Sequence, residues 1–251
     1  MNLSPKEVIR IQQTLEMIPS DVASILEVGC GDGRITNSIC HRYEVVGIDL
    51  DKEKIKAFHG PKIIADVAQI PFKDSQFDLV LAAEILEHLP EEIFTPALSE
   101  IYRVSKKYVL ITVPFEEVLS AQWLKCSKCG HIFHAWGHLR RFDLRMLNNL
   151  FKHTYLMKKI FTPKEAKIPS LLYVIAKKIG NVWESHSTNP ARCPKCGAKP
   201  LNNKGNILGW ILIRLIWRFG KVCPLKKPIW IGYIKRENHQ RNLLGRQYFS
   251  C

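Results

Sequence analysis

The sequence predicts an α/β fold, a mostly parallel sheet with helices on both faces. Three observations predict it. Short β-rich apolar runs recur through residues 24–114, helical patterns lie between them, and a glycine-rich turn, "GCGDG" over Gly29–Gly33, follows the first run directly.

The elements follow in order. An opening helix spans Pro5 to Met17, with Ser4 as its N-cap and Pro5 at its first position, where the missing amide hydrogen costs nothing. Strands are expected at Ser24 to Cys30, Glu44 to Leu50, Lys62 to Val67, Phe77 to Ala83 and Lys107 to Pro114. Helices are expected at Asp32 to His41, Asp51 to Phe58 and Glu91 to Val104. This alternation implies right-handed crossovers, with ligands at the carboxyl ends of the strands.

At 251 residues and 46% apolar, the chain can bury a sizeable core. Residues Met1 to Arg10 are polar, unlike a signal peptide, and no apolar run reaches the roughly 20 residues of a spanning helix. A cytoplasmic protein, soluble or peripheral on a membrane, is the expectation. The net charge of +14 divides unevenly: residues 1–114 hold 12 Lys+Arg against 17 Asp+Glu, a balance of −5, which leaves +19 for residues 115–251. A basic second half points to an anionic partner.

The glycine turn has a specific chemistry. Gly29, Gly31 and Gly33 lie between strand and helix, where a missing Cβ lets a ligand approach the backbone. Asp49 ends the second strand, in "GIDLD", where a carboxylate can accept both hydroxyls of a ribose. The spacing is G-x-G-x-G rather than the G-x-G-x-x-G of a dinucleotide site, and Glu27 stands two residues before the first glycine. An acid there repels a pyrophosphate and suits a ligand with a cationic amine. S-adenosylmethionine carries such an amine.

With these residues the sequence resembles the class I S-adenosylmethionine-dependent methyltransferases, in particular the group similar to the ubiquinone-biosynthesis enzymes. "LEVGCGDGR", "VVGIDLD", "IIADVAQIPFKDSQFDLVLAAEILEHL" and "YVLITVP" carry the resemblance over about residues 24–114. It implies a Rossmann-like, seven-stranded, mostly parallel sheet whose last strand is inserted antiparallel beside the fifth. It also implies that Gly29, Cys30 and Gly31 wrap the methionine part, that Glu27 orients the turn and the amine, and that Asp49 holds the ribose with Leu50 against adenine. Asp66 would meet the adenine amino group and Val67 would add a backbone contact, while Ala83 and Glu84 would lie beneath the sulfonium. Methyl transfer is an in-line displacement that needs a base only if the acceptor must lose a proton. "WGHLRRFD", Trp136 to Asp143, resembles a histidine-containing segment after the fifth strand that faces the acceptor in relatives, so His138 is the candidate base, ahead of His88.

Cysteine supplies a second signal. "KCSKCGH" and "RCPKCGAK" place Cys126, Cys129, Cys193 and Cys196 in two C-x-x-C-G knuckles, the spacing that lets two thiolates meet one metal from a tight turn. A structural zinc held by all four is the expectation, although the 63 residues between Cys129 and Cys193 exceed the gap of a compact ribbon and leave His131 and His134 as substitutes.

The resemblance then divides the chain. Residues 1–114 form the cofactor-binding core, 115–142 an insertion with the first knuckle, and 143–163 a core helix (Leu144 to Lys152) and sixth strand (Tyr155 to Thr162). Residues 164–228 form a second insertion with the other knuckle, 229–237 the last core strand (Ile229 to Lys235), and 238–251 a tail. Within 164–228, "NILGWILIRLIWRFGKV" puts Arg214, Arg218 and Lys221 on one stripe of an apolar helix too short to span a bilayer. It reads either as a helix packed on the domain or as one lying on anionic lipid. The function expected is methyl transfer to a small-molecule or membrane-associated acceptor such as a saccharide, a lipid or a metabolite. RNA or other nucleic acid ranks second: the basic half favours it, but no "NPPY"-type tetrad follows the fourth strand.

Overall fold

The computed structural model describes residues 3–150, 156–183 and 191–236. Expectations that fall on residues 151–152, Tyr155 and 237–251 lie outside these. The elements in chain order are α1 (Pro5–Leu15), β1 (Ser24–Val28), α2 (Thr36–Ile39), β2 (Glu44–Asp49), β3 (Lys62–Ile64), β4 (Phe77–Ala83), α3 (Glu91–Val104) and β5 (Ser105–Pro114). They continue with β6 (Trp123–Lys125), β7 (Ile132–His134), α4 (Leu144–Leu150), β8 (Leu156–Ile160), β9 (Lys164–Ala166), α5 (Ser170–Lys178), α6 (Ile207–Val222), β10 (Lys226–Pro228) and β11 (Trp230–Arg236). The chain forms two compact units: Met1–Val113 with Leu144–Phe161 and Trp230–Cys251, and Pro114–Asp143 with Thr162–Ile229.

The first unit is built on a seven-stranded sheet in the order β3-β2-β1-β4-β5-β11-β8. β1 pairs in parallel with β2 and β4, β4 with β5, and β2 with β3, while β11 runs antiparallel to β8. All seven residues of β4 are buried, as a strand covered on both faces requires. Its one carboxylate, Asp78, is satisfied by the Ala23 and Ser24 amides at 3.0 and 3.4 Å and by Lys107 at 3.2 Å. α1 starts in a reciprocal cap: Ser4 Oγ accepts from the Glu7 amide at 3.3 Å and the Glu7 carboxylate accepts from the Ser4 amide at 2.9 Å.

The register sets the site. Val28 lies beside Ile48 and Ala82, and Asp49 beside Ile64, so β1, β2, β3 and β4 all end along one edge of the sheet. Gly29, Asp49, Asp66 and Glu84 therefore share that edge although the chain separates them by up to 55 residues.

Three expected elements differ, each because a polar side chain takes backbone groups that regular structure would use. Asp51 to Phe58 is not an α-helix but a 3₁₀ turn over Lys54–Ala57, since the Asp51 carboxylate accepts from the amides of Glu53 and Lys54 at 3.1 and 3.0 Å. The Asp32 to His41 helix contracts to α2. Gly33 sits at φ +74°, and the Asn37 carboxamide donates to Ala57 O and accepts from the His59 amide at 3.1 and 2.9 Å. β3 stops at Ile64, and Asp66 turns the chain by accepting from the Ala68 amide at 2.8 Å.

In the second unit, β6 and β7 form an antiparallel ribbon that flanks the first knuckle, and β9 and β10 form another. Neither ribbon is visible as an apolar alternation in the sequence. α5 and α6 pack together where Gly209 meets Gly180; a Cβ on Gly209 would fall 2.3 Å from Gly180 O.

Candidate functional site

The cleft of the first unit starts at the turn after β1. Gly29 has φ +66°, and a Cβ there would lie 2.3 Å from Ile85 Cδ1; above Gly31, at φ +53°, a Cβ would meet nothing within 4 Å. The turn is thus closed on one side and open on the other. The Gly31 amide donates to Asp49 Oδ2 at 2.8 Å and the Asp51 amide to Oδ1 at 2.7 Å. Both carboxylate oxygens are fixed by backbone and each keeps accepting capacity, the arrangement that suits a vicinal diol. Leu50, next along, leaves 63% of its surface exposed, an apolar platform at the strand end.

Cys30 contributes backbone rather than thiol chemistry. Its side chain is buried, and burial, with the charges of Glu27 and Asp49, pushes the thiol up to about 12. Val67 is buried and Asp66 half-buried on a loop that Arg103 ties down. Arg103 donates to Ile70 O at 2.9 Å and to Phe72 O at 2.8 Å, and it pairs with Glu100, which itself accepts from the Ile70 amide at 2.8 Å. Ala83 closes β4, and Glu84 follows in the left-handed region at φ +55°, a conformation that costs a residue with a side chain about 1–3 kcal/mol. It is held there by its amide on Thr112 O at 2.9 Å and by Thr112 Oγ1 donating to its carboxylate at 3.3 Å.

Glu27 is the most perturbed acid of the cleft. It is buried in β1, and its Oε2 has no hydrogen-bond partner among the described residues. Burial pushes its carboxyl from the ordinary 4.5 to about 8, against the pull of Thr36 and, more weakly, of Arg10. A buried carboxyl with one oxygen unpartnered among the described residues fits a cationic group, which would return it to the charged form.

The second unit holds two further clusters. Cys126 and Cys129 meet Cys193 and Cys196: Sγ–Sγ distances are 3.4 Å for Cys126–Cys196, 3.6 Å for Cys129–Cys193 and 3.6 Å for Cys129–Cys196. These are far beyond the ~2.05 Å of a disulfide and close to the ~3.8 Å edge of a tetrahedron of thiolates around zinc. Gly130 and Gly197, both at φ +69°, carry the chain away from each knuckle. The Cys129 amide at 3.4 Å, joined by that of Lys128 at 3.3 Å, donates to Cys126 Sγ and holds this thiol down, to about 6. His131 and His134 stay out of the cluster; His131 stacks on Phe133 instead.

His138 lies in the other cluster, with Glu117 and His134. Glu117 Oε2 is 2.5 Å from His138 Nδ1 and Oε1 is 3.5 Å from His134 Nε2. Burial alone would raise the Glu117 carboxyl, but the two imidazoles outweigh it and hold it at about 2. His134 Nδ1 accepts from the amides of Trp136 and His138 at 3.3 and 3.1 Å, so the ring hydrogen resides on Nε2 and that atom has no lone pair for a metal. With Nδ1–H of His138 on an ionised carboxylate, Nε2 becomes its basic atom. Glu117 and Arg103 carry no motif; Ile85 lies within the stretch that carries the resemblance, but its packing against Gly29 is not legible there. The only signal for Glu117 in the sequence is an acid pair, "FEEV", directly after the fifth strand.

The parallel sheet, its strand order and the open turn beside a ribose-type acid define a class I, Rossmann-like methyltransferase fold. Residues 26–111 match the family described as a methyltransferase domain, and this match together with the fold supports an S-adenosylmethionine-dependent methyltransferase. An uncharacterised protein of Methanocaldococcus jannaschii is 29% identical over 73% of this chain and 75% of its own. The ubiquinone biosynthesis O-methyltransferase of Psychrobacter cryohalolentis is 33% identical over 38% of this chain and 47% of its own, so the chain spans about half that enzyme. A structure of an S-adenosylmethionine-dependent methyltransferase from Archaeoglobus fulgidus shares the fold at TM-score 0.56 and 15% identity, covering 93% of this chain and 95% of that one.

Proposed function

We propose that the chain methylates a protic group, O–H or N–H, on a small-molecule or membrane-associated acceptor, with His138 as base. S-adenosylmethionine supplies an electrophilic methyl group on a sulfonium. On the chain's side, the Gly29–Gly31 backbone receives the methionine part, Glu27 its ammonium, Asp49 the ribose and Leu50 the adenine ring. Asp66 and Val67 serve the adenine edge, and Ala83 and Glu84 floor the reacting centre. The observation that carries the reading is the Glu117–His138 contact of 2.5 Å, which orients the imidazole with Nε2 as the atom to take the acceptor's proton as its nucleophile attacks. The unsatisfied Glu27 oxygen supports the cofactor assignment.

Zinc, held by Cys126, Cys129, Cys193 and Cys196, is the structural metal of this reading. The support is a complete set of four soft donors at near-tetrahedral spacing, and the metal would join two segments distant in sequence.

Incubation with methyl-labelled S-adenosylmethionine and fractionated extracts tests the function. Label in small-molecule or lipid fractions is expected, strongly reduced in His138→Asn, with the residual rate no longer showing the acid limb of the pH–rate profile. Label in RNA would establish the second reading, which the +19 charge of residues 115–251 favours. Transfer at the unaltered rate by His138→Asn would remove the base from the mechanism.

A further inference from the structure

We infer that α6 is a docking surface for anionic lipid, lying in the plane of the membrane interface. α6 has a narrow buried stripe, Gly209 and Ile216, which continues to Cys223 just past its end. Leu212, Ile213 and Gly220 are half-buried, and the remaining positions are exposed, most of them apolar. Trp217 is 61% exposed, Leu215 56% and Val222 74%, with Trp210 and Ile211 exposed beside them. Lone apolar residues at a surface are ordinary, but a continuous apolar helix face is not.

The arrangement of charge within that face identifies what meets it. At about 100° per residue, exposed Arg214, Arg218 and Lys221 fall within about 60° of one another along the middle of the outer arc. Trp210 and Trp217 line one margin of this basic stripe, and Ile211, Leu215 and Val222 line the other. The Arg214 guanidinium lies over the Trp210 ring, 3.9 Å from its centroid, so part of the stripe is held against its aromatic margin.

The stripe calls for anionic groups, and the margins call for an apolar medium within a few ångströms of them. Nucleic acid offers phosphates but would leave the aliphatic margin wet. A helix bound in a protein groove buries an apolar stripe about 100° wide, whereas this exposed arc covers about 200°. The headgroup–acyl boundary of an anionic bilayer provides both media at once. Arg and Lys extend to phosphates there while their stems and the indole rings sit lower. The 16 residues of α6 reach about 24 Å, and no described helix is long and apolar enough to cross a membrane, so the helix lies on the surface. This inference does not depend on His138 or on the acceptor, because docking is measured without methyl transfer.

The test is co-sedimentation of the full chain with phosphatidylcholine vesicles, with and without phosphatidylserine, at several salt concentrations. Binding is expected only to vesicles with the anionic lipid, and it should weaken with salt. Arg214→Glu with Arg218→Glu should weaken it at least tenfold, given about fivefold per cation at the surface. Trp210→Ser with Trp217→Ser should weaken it at every salt concentration, including those that screen the charges. All four positions are exposed, and circular dichroism with unaltered cofactor affinity shows that each variant is folded. Equal binding to both vesicle types, or binding that neither variant changes, overturns the inference. So does saturable binding to RNA or DNA at matched ionic strength with none to vesicles, and so does binding to neither.

Discussion

Replacing Glu27 with Gln should stabilise the free protein while weakening its hold on the cofactor. The carboxyl titrates near 8 in the folded chain against an ordinary 4.5, because burial disfavours its charge; Thr36 and then Arg10 oppose this, and Asp32 adds to it. The folded state therefore holds the proton more tightly than the unfolded state. Glu27's own contribution is therefore most favourable below about pH 4.5, becomes less so as the pH rises, and levels off above about 8. At 1.36 kcal/mol per pH unit, the penalty is up to about 3 kcal/mol at pH 7 and about 5 kcal/mol above pH 8. Gln has nearly the same shape and no proton to lose, so Glu27→Gln should remove this slope. Urea unfolding at pH 5 and pH 8 reads the difference, which should be small at the first and several kcal/mol at the second. Calorimetry reads the other side. A charge-assisted contact is worth about 1.5–3 kcal/mol, so the variant should bind S-adenosylmethionine roughly 10- to 100-fold more weakly. Wild type should release a proton on binding at pH 7 and the variant should not. Parallel stability curves, or equal cofactor affinity, would refute the reasoning about the buried carboxyl.

Further outcomes follow from the same geometry. Asp49→Ala should cost most of the cofactor affinity by calorimetry, since it removes the acceptor of the Gly31 and Asp51 amides as well as that of the diol; unchanged affinity would sink the ribose assignment. Freshly purified, reduced protein should contain one zinc per chain by elemental analysis, and a chelator should raise amide exchange in Pro114–Asp143 and Thr162–Ile229 before it affects β1 and β4. Glu117→Gln should lower kcat and alter the pH–rate profile while leaving cofactor affinity within about twofold, because the amide no longer fixes the His138 tautomer by charge. The low carboxyl of Glu117 also contributes stability above its unfolded value that is lost as pH falls towards 2, so the Gln variant should show a shallower acid transition.

By itself the sequence determined the five strands of residues 24–114, because their signals are local, whereas β8 and β11 were expected only from the resemblance. β4 is a seven-residue run, apolar except for Asp78, with both faces covered, α3 coincides with its pattern from Glu91 to Val104, and the glycines of the β1 turn stand where the backbone takes positive φ. Such features depend on residue type and near neighbours alone. What polar side chains do with backbone groups was less legible: Asp51, Asn37 and Asp66 each redirected an expected element through one or two hydrogen bonds. Only the tertiary structure decided the clusters. The spacing of each knuckle is written in the chain, but the meeting of Cys129 with Cys193 across 63 residues depends on the packing of the second unit. The Glu117 carboxylate reaches His138 because the chain turns between them, and Glu27 titrates near 8 because the sheet removes it from water. Burial and long-range proximity set electrostatic energies, and neither is a property of any short stretch of sequence.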